Sequence, residues 1–503
     1  MGGVLMNPWL CNLLFNNSGG SSLPATGQTF YASLKTSLVP EVGTGGPTWS
    51  RATNAWRFND LGYLRQIPSG CAEFGGARLV TNLCPTPSNT LAVAGTKTVT
   101  LTAAATLQFS MGAGTGTATF SGTGGATGTL AAGASRVSVN KTVTAGTFVV
   151  TASVADLVDL SIVDVTGRDA SYVPEYVSVG VLSPPYHGAG ADGCKYFATD
   201  WQGAPIPVAN LTRLRKETAG TNALLWSRDL SNAAWSTKTN ITAAKTATGL
   251  DGIANSASTL TATSADAIIL QPTSGIASAA RCSSAYVRRK TGTGTISFTQ
   301  DGGSTWTDIT PNINSATYSR VQITATLANP SVGFKISTSG DVIEVDCVQN
   351  EAGSVASSPI VTTTATVTRN ADSLTYQTAS NWSDTAGTAY ILAKPVVYSG
   401  GAVGSATNGL LLSASNSGAT AYDGTNSANG PTGTPGAVEK LALAWGSSTM
   451  SVASSGLVGT PGTYDGAMGL SSIGVGVGAV GYFGDVAIYN YKMTDAELQA
   501  ITT

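Results

Sequence analysis

The chain has 503 residues, with 26 Lys and Arg, 28 Asp and Glu and a single His, for a formal net charge of −2. Only 11% is charged, against a usual share of about 25%, while 42% is hydrophobic, enough for packed cores. These figures argue against a helical enzyme, whose helix surfaces carry many Glu and Lys, and against a nucleic-acid binder, which needs a basic stripe.

Taken in chain order, the first stretch, Met1 to Phe15, is apolar, and no basic residue precedes Lys35. A secretory signal needs a basic start, so none is expected. Leu5, Trp9, Leu10, Leu13, Leu14 and Phe15 are too apolar to leave in water and too few to form a core. Residues 1–76 are therefore expected to be an irregular attachment segment whose start is buried against a partner chain. From about Asn89 the pattern turns to β. Thr98 to Thr102, Ala118 to Ser121, Arg136 to Asn140 and Phe148 to Ala152 are short runs, mostly alternating and bounded by Gly, Ala or Thr. Such runs predict antiparallel sandwiches with one wet face per strand, and Thr suits that face because it is both β-branched and hydroxylated. Residues 77–175 form a first predicted sandwich.

Residues 176–220 hold the lone His187 and the proline-bearing runs Pro184-Pro185 and Pro205-Ile-Pro207. Proline lacks the ladder donor, so this part is expected to be an extended connecting segment. Residues 221–370 form a second predicted sandwich. Residues 371–503 form a third, with strands near Ala389 to Lys394, Gly409 to Ser413, Lys440 to Trp445, Thr449 to Ala453 and Gly481 to Tyr489. One helix is predicted, at the end, where Thr494 and Glu497 form a capping box ahead of Leu498 and Ile501. No apolar run approaches the roughly 20 residues of a membrane span, so membrane insertion is not expected.

The first two sandwiches read as copies. Ser135-Arg-Val137 leads to Ala170-Ser-Tyr-Val-Pro174, as Ser319-Arg-Val321 leads to Ala356-Ser-Ser-Pro359 at nearly the same interval. Each copy is preceded by a Thr-Asn pair, Thr81-Asn82 and Thr221-Asn222. The six cysteines are scattered without a CxxC or Cys/His spacing, so buried thiols are expected in place of a zinc site or disulfide framework.

The run Asn222-Ala-Leu-Leu-Trp-Ser-Arg-Asp-Leu-Ser-Asn-Ala-Ala-Trp235 resembles the opening of a carbohydrate-binding-module-like sandwich of tailed-bacteriophage virion proteins. Ser284-Ala-Tyr-Val-Arg288, Tyr318-Ser-Arg-Val321, Gln349-Asn-Glu-Ala-Gly353 and Val367-Thr-Arg-Asn-Ala-Asp372 continue that resemblance. Trp49-Ser-Arg-Ala-Thr53 and Gly75-Gly-Ala-Arg-Leu-Val-Thr-Asn-Leu83 look like the opening segment of the same phage proteins. Gly484 to Leu498 is similar to the last strand and helix of laminin-G/concanavalin-like lectin domains. The resemblance implies a virion component: an all-β tail fibre or adhesin of tandem jelly-roll or lectin-like sandwiches. It would be assembled in the host cytoplasm as a homo-oligomer, commonly a trimer, joined to other tail, neck or capsid proteins and directed at host polysaccharide. The alternatives are a capsid- or neck-attached fibre without a receptor role, and a polysaccharide depolymerase.

Candidate chemistry is sparse, and no enzyme activity is expected. Glu344-Val-Asp346 puts two carboxylates on one strand face, as retaining glucanases need, but Gln349 stands where a second Glu would complete the set. The pair is read as structural, with Asp346 echoed by Asp159. His187 lacks a Gly-x-Ser-x-Gly partner, and neither Gly112 to Gly116 nor Gly474 to Gly478 opens a helix as a phosphate loop would. Tyr422-Asp-Gly-Thr-Asn426 and Tyr464-Asp-Gly466 offer tyrosines beside amide and carboxylate groups, the constitution of a sugar site. Tyr422, Asp423, Asn426, Tyr464 and Asp465 are therefore the glycan-contact candidates. Asp423 and Asp465 are also weak calcium candidates, and calcium is the only cofactor considered. Trp445, in an alternating strand, is expected in the core.

Overall fold

The computed structural model describes residues 23–84, 96–101, 104–152, 159–179, 193–413 and 418–503. The docking residues Leu5, Trp9, Leu10, Leu13, Leu14 and Phe15, together with His187 and Pro184-Pro185, lie outside the described residues. The chain is all-β, built of antiparallel sheets, with one α-helix among the described residues. Its described residues divide into two compact units: those of 52–68 with 217–371, and those of 23–51 with 69–216 and 372–503.

The first unit is a sandwich of two five-stranded sheets closed on a core that includes Trp235, Phe298, Phe334, Val287 and Val345. One sheet runs, side by side, Thr237–Thr239, Ala267–Pro272, Ser331–Ile336, Ile296–Thr299 and Thr307–Asp308. The other runs Ile241–Ala247, Ala257–Ala262, Val342–Ala352, Ala279–Thr291 and Ser319–Leu327. The hairpin Ala55–Phe58 and Leu64–Ile67 belongs to this unit, where Leu64 packs with Leu250, Tyr286 and Cys347.

In the second unit, a smaller sandwich pairs a four-stranded sheet (Ala126–Ala131, Thr117–Gly122, Gly146–Ala152, Thr96–Leu101) with a three-stranded one (Val137–Val143, Ala105–Met111, Ser161–Asp164). Alternation decides its faces: Val99, Phe148 and Val150 are buried while Thr98, Thr100 and Thr151 face water. Its seven strands match seven strands of the larger sandwich in chain order and in place. Numbered along the chain, strands four, three, six and one form one sheet, and strands five, two and seven the other, in both copies. The larger copy adds Thr237–Thr239, Ile241–Ala247 and Ala257–Ala262.

The two Thr-Asn pairs do the same work. Asn82 Nδ2 donates to the Leu160 and Val177 carbonyls at 2.8 and 2.7 Å, and its Oδ1 accepts from the Cys84 and Ile162 amides at 3.0 Å. Asn222 Nδ2 donates to the Val348 and Ile360 carbonyls at 3.1 and 2.9 Å, and its Oδ1 accepts from the Leu224 and Asn350 amides at 3.1 Å. Arg136 and Arg320 likewise match, donating to Ser110 and Ser284. This register corrects one detail of the sequence reading. Asp159 stands at the place of Cys347, not of Asp346, and both adopt positive φ, 52° and 48°.

The rest of the second unit is a double sheet. A seven-stranded sheet runs Thr48–Ser50, Ser373–Tyr376, Ile473–Val477, Gly401–Gly404, Gly409–Ser413, Gly418–Tyr422 and Ser427–Thr432. It faces a nine-stranded sheet built around Thr449–Ser454, Glu439–Gly446, Ala386–Pro395 and Gly481–Tyr489. One edge of Gly481–Tyr489 is shared by two strands from far away, Gln28–Ala32 and Arg213–Lys216, the latter carrying Glu73–Gly75 outside it. At the junction Asp485 accepts from Arg213 Nη2 at 2.8 Å and from the Tyr31 hydroxyl at 3.0 Å. Residues 23–76 thus supply short strands to both units, and Arg213–Lys216, within the stretch expected to connect modules, is a sheet strand. Trp445 is fully buried between the sheets. Helix Asp495–Thr502 closes the outer face through Leu498 and Ile501, which pack with Ala442 and Ala444.

Candidate functional site

The loops at one end of the double-sheet sandwich converge. The turn between Gly418–Tyr422 and Ser427–Thr432 is tied by Asp423, whose Oδ1 accepts from the Thr425 and Asn426 amides at 2.8 and 2.6 Å. Gly424 supplies the positive φ of 100° that this tight turn requires. The other carboxylate oxygen accepts from Asn426 Nδ2 at 3.2 Å and from the Asp465 amide at 3.1 Å, joining the two loops singled out in the sequence. Partial burial opposes ionisation of Asp423, but the Asn426 and Thr425 amides outweigh it and hold the carboxyl below its usual range.

Two further segments enter the cluster. Asp384 Oδ1 accepts from the Met468 amide at 3.1 Å and from Trp382 Nε1 at 3.2 Å. Asn408 Nδ2 donates to the Met468 carbonyl at 3.0 Å. Trp382 is half-buried and lies flat on Trp445, with ring centroids 4.2 Å apart and planes inclined by 15°. Trp445 Nε1 donates to the Ser383 carbonyl at 2.9 Å, which fixes the loop beneath Trp382.

The structure therefore brings Tyr422, Asp423, Asn426 and Asp465 together, and it corrects the role given to Tyr464. That ring is only 3% exposed and its hydroxyl donates to the Asp384 carbonyl, so it cannot serve as a surface platform. Burial first, and then the charges of Asp384, Asp465 and Asp423, raise its phenol well above the ordinary value. Trp382 is the aromatic that sequence reading missed. Its only advance signal was a tryptophan beside Asp384 in a Ser- and Thr-rich stretch without strand alternation. The calcium candidates fit poorly: both oxygens of Asp423 already accept N–H donors, and Asp465 Oδ1 caps its own turn at the Ala467 amide. Among the described residues no three His, Cys, Asp or Glu side chains form a metal-ligating group.

The glucanase-like pair occupies one face of Val342–Ala352, with Glu344 opposite Arg288 and Asp346 opposite Tyr286. Glu344 pairs with Arg288 and, at 3.2 Å, with Lys290. Asp346 takes a two-pronged contact from Arg228 at 2.7 and 2.9 Å and accepts from the Leu250 amide at 2.8 Å. Arg228 also donates to Asp251 at 2.6 Å; although burial opposes it, this contact holds the Asp251 carboxyl below its usual range. Gln349 is consumed by the Ile360 amide and by Glu351. Glu344 and Asp346 are 4% and 0% exposed and each is held by a cationic side chain, the surroundings of a structural ion pair. Gly474 to Gly478 lies in and just after the strand Ile473–Val477, and Gly476 and Gly478 adopt positive φ, a backbone role. The five described cysteines are buried and none is in a disulfide.

No family model matches the chain, and no curated protein sequence matches it. No helix among the described residues is long and apolar enough to cross a membrane.

Proposed function

We propose that the chain is a structural component of a tailed-bacteriophage particle, a tail fibre or adhesin that contributes to glycan recognition at the host surface. The phage assignment is supported by the sequence resemblance of Asn222 to Trp235, Gln349 to Gly353 and Gly484 to Leu498. The observation that carries the recognition role is the loop cluster: a half-buried Trp382 stacked on Trp445 and hydrogen-bonded to Asp384, at the end of the sandwich where Asp423 ties Asn426 to the Asp465 loop. A flat apolar platform flanked by a few fixed hydrogen-bonding groups is one arrangement that holds a sugar ring, and this cluster has that constitution. Several copies on one particle would add weak contacts through avidity. Other virion proteins are the expected partners, and a homotrimer the expected assembly.

The test is a glycan array probed with the full chain displayed multivalently, followed by affinity measurement on hits. Trp382→Ala is expected to weaken binding about tenfold. Tyr422→Ala, at a side chain outside the core, should weaken it without lowering the melting temperature. No binding in multivalent form would leave a structural fibre without receptor role. Release of reducing ends from host polysaccharide would overturn the non-enzymatic reading.

A further inference from the structure

The two sandwich copies differ most sharply at one place in their interiors. In the smaller copy, Leu107, Phe109 and Ile162 are at most 1% exposed and belong to its core. The shared register puts Arg281, Ser283 and Asn350 at those three places. Leu107 lies opposite Lys141 and Asp164, and Arg281 correspondingly opposite Ala325 and Ala352. The polar replacements are linked: Arg281 Nη1 donates to Asn350 Oδ1 at 3.3 Å, Asn350 Nδ2 to Ser283 Oγ at 2.8 Å, and Ser283 Oγ to Gln300 Oε1 at 2.8 Å. Replacing three core side chains by a hydrogen-bonded polar chain forgoes apolar burial, which selection for stability alone does not favour.

Arg281 ends this chain at a cleft of about 730 Å³, within the range of roughly 300–1,000 Å³ usual for small-molecule sites. Its walls include Leu225, Pro272 and Ile276, and its rim carries the hydroxyls of Ser274 and Thr366; no Asp or Glu lines it. Among the described residues Arg281 has no carboxylate partner, its Nη2 makes no hydrogen bond, and its Nε is buried without an acceptor. A guanidinium without a carboxylate beside it, and with an Nη2 free to donate, suits an oxyanion supplied from outside. Burial alone pushes this guanidinium below its ordinary value, and no neighbouring charge opposes the shift.

We propose that this cleft binds a carboxylate-bearing saccharide, whose carboxylate accepts from Arg281 Nη2 while Ser274 and Thr366 meet ring hydroxyls. The site lies in the unit that does not contain the Trp382 loops, and it rests on the glycan reading only for the class of ligand. The experiment is calorimetric titration of the full chain with trigalacturonate, with maltotriose as the neutral control. Trigalacturonate should bind saturably and maltotriose at least about tenfold more weakly. Arg281→Leu, which installs the side chain of the smaller copy, should weaken trigalacturonate binding about tenfold or more. Arg281→Gln, which keeps a polar group against Asn350, should lose it too, whereas Trp382→Ala should leave it unchanged. The proposal is overturned if wild type shows no trigalacturonate binding at millimolar concentration, if maltotriose binds equally, or if either Arg281 variant retains wild-type affinity. Loss of array binding in Trp382→Ala with trigalacturonate binding intact bears on the loop cluster alone.

Discussion

Asn82 and Asn222 show how a single side chain can fix a module. Each amide satisfies two carbonyls and two amide N–H groups on segments up to 95 and 138 residues away, and Asn222 is wholly buried. An Ala at either position leaves four buried backbone groups short of a partner, and each such group costs more than a made bond returns. Asn82→Ala and Asn222→Ala should therefore each destabilise their own sandwich by about 2 to 4 kcal/mol, read from chemical denaturation. A loss under about 0.5 kcal/mol in either would mean the amide is not what holds the strands. The recurrence of these pairs was legible in the sequence; their bonds were not, because nothing local marks partners so distant along the chain. The same holds for Arg228, read as part of a motif, whose clasp on Asp346 and Asp251 accounts for one carboxylate of the Glu344 and Asp346 pair.

Among elements, legibility followed the source of the stabilising contacts. The strands of the sandwiches alternate or are apolar within themselves, so Thr96–Leu101, Glu439–Gly446 and Gly481–Tyr489 were found close to their observed ends. Gln28–Ala32, Thr48–Ser50, Glu73–Gly75 and Arg213–Lys216 are three to five residues long and exist through pairing with remote strands, so local pattern could not reveal them. Helix Asp495–Thr502 is the opposite case, because its start signal is local. Thr494 accepts from the Glu497 amide and Glu497 accepts from the Thr494 amide, the reciprocal cap read in advance. Thr494→Ala should cost about 1 kcal/mol and fray the first turn, checked by denaturation and by amide exchange at Ala496 and Glu497. Unchanged exchange there would mean that packing of Leu498 and Ile501, not the cap, fixes the helix start. For the candidate site the division is similar. The Asp-Gly turns were visible as turn chemistry, whereas the burial of Tyr464 and the platform at Trp382 depend on which loop lies over Trp445.

For the whole molecule, the decisive fact is that neither unit is one continuous piece of chain. Residues 217–371 contain both five-stranded sheets of their sandwich complete, and among the described residues of the unit lose the segment 52–68 with the hairpin Ala55–Phe58 and Leu64–Ile67 when cut out. Removing it uncovers Leu250, Tyr286 and Cys347, a limited apolar patch. Residues 372–503 are in a different position. Without Gln28–Ala32 and Arg213–Lys216 the edge of Gly481–Tyr489 is unpaired along its length, and the core loses Phe30, Phe74, Tyr196 and Leu214. An open edge beside exposed aromatic sockets is a template for aggregation. The fragment 217–371 should accordingly run as a soluble monodisperse species with a β-type circular dichroism spectrum and a melting temperature below that of the full chain. The fragment 372–503 should aggregate, and should become soluble when the segments 23–51 and 69–216 are co-expressed with it. A soluble, cooperatively melting 372–503 would show that the remote strands decorate this sandwich without completing it, and that glycan binding can then be assayed on the C-terminal piece alone.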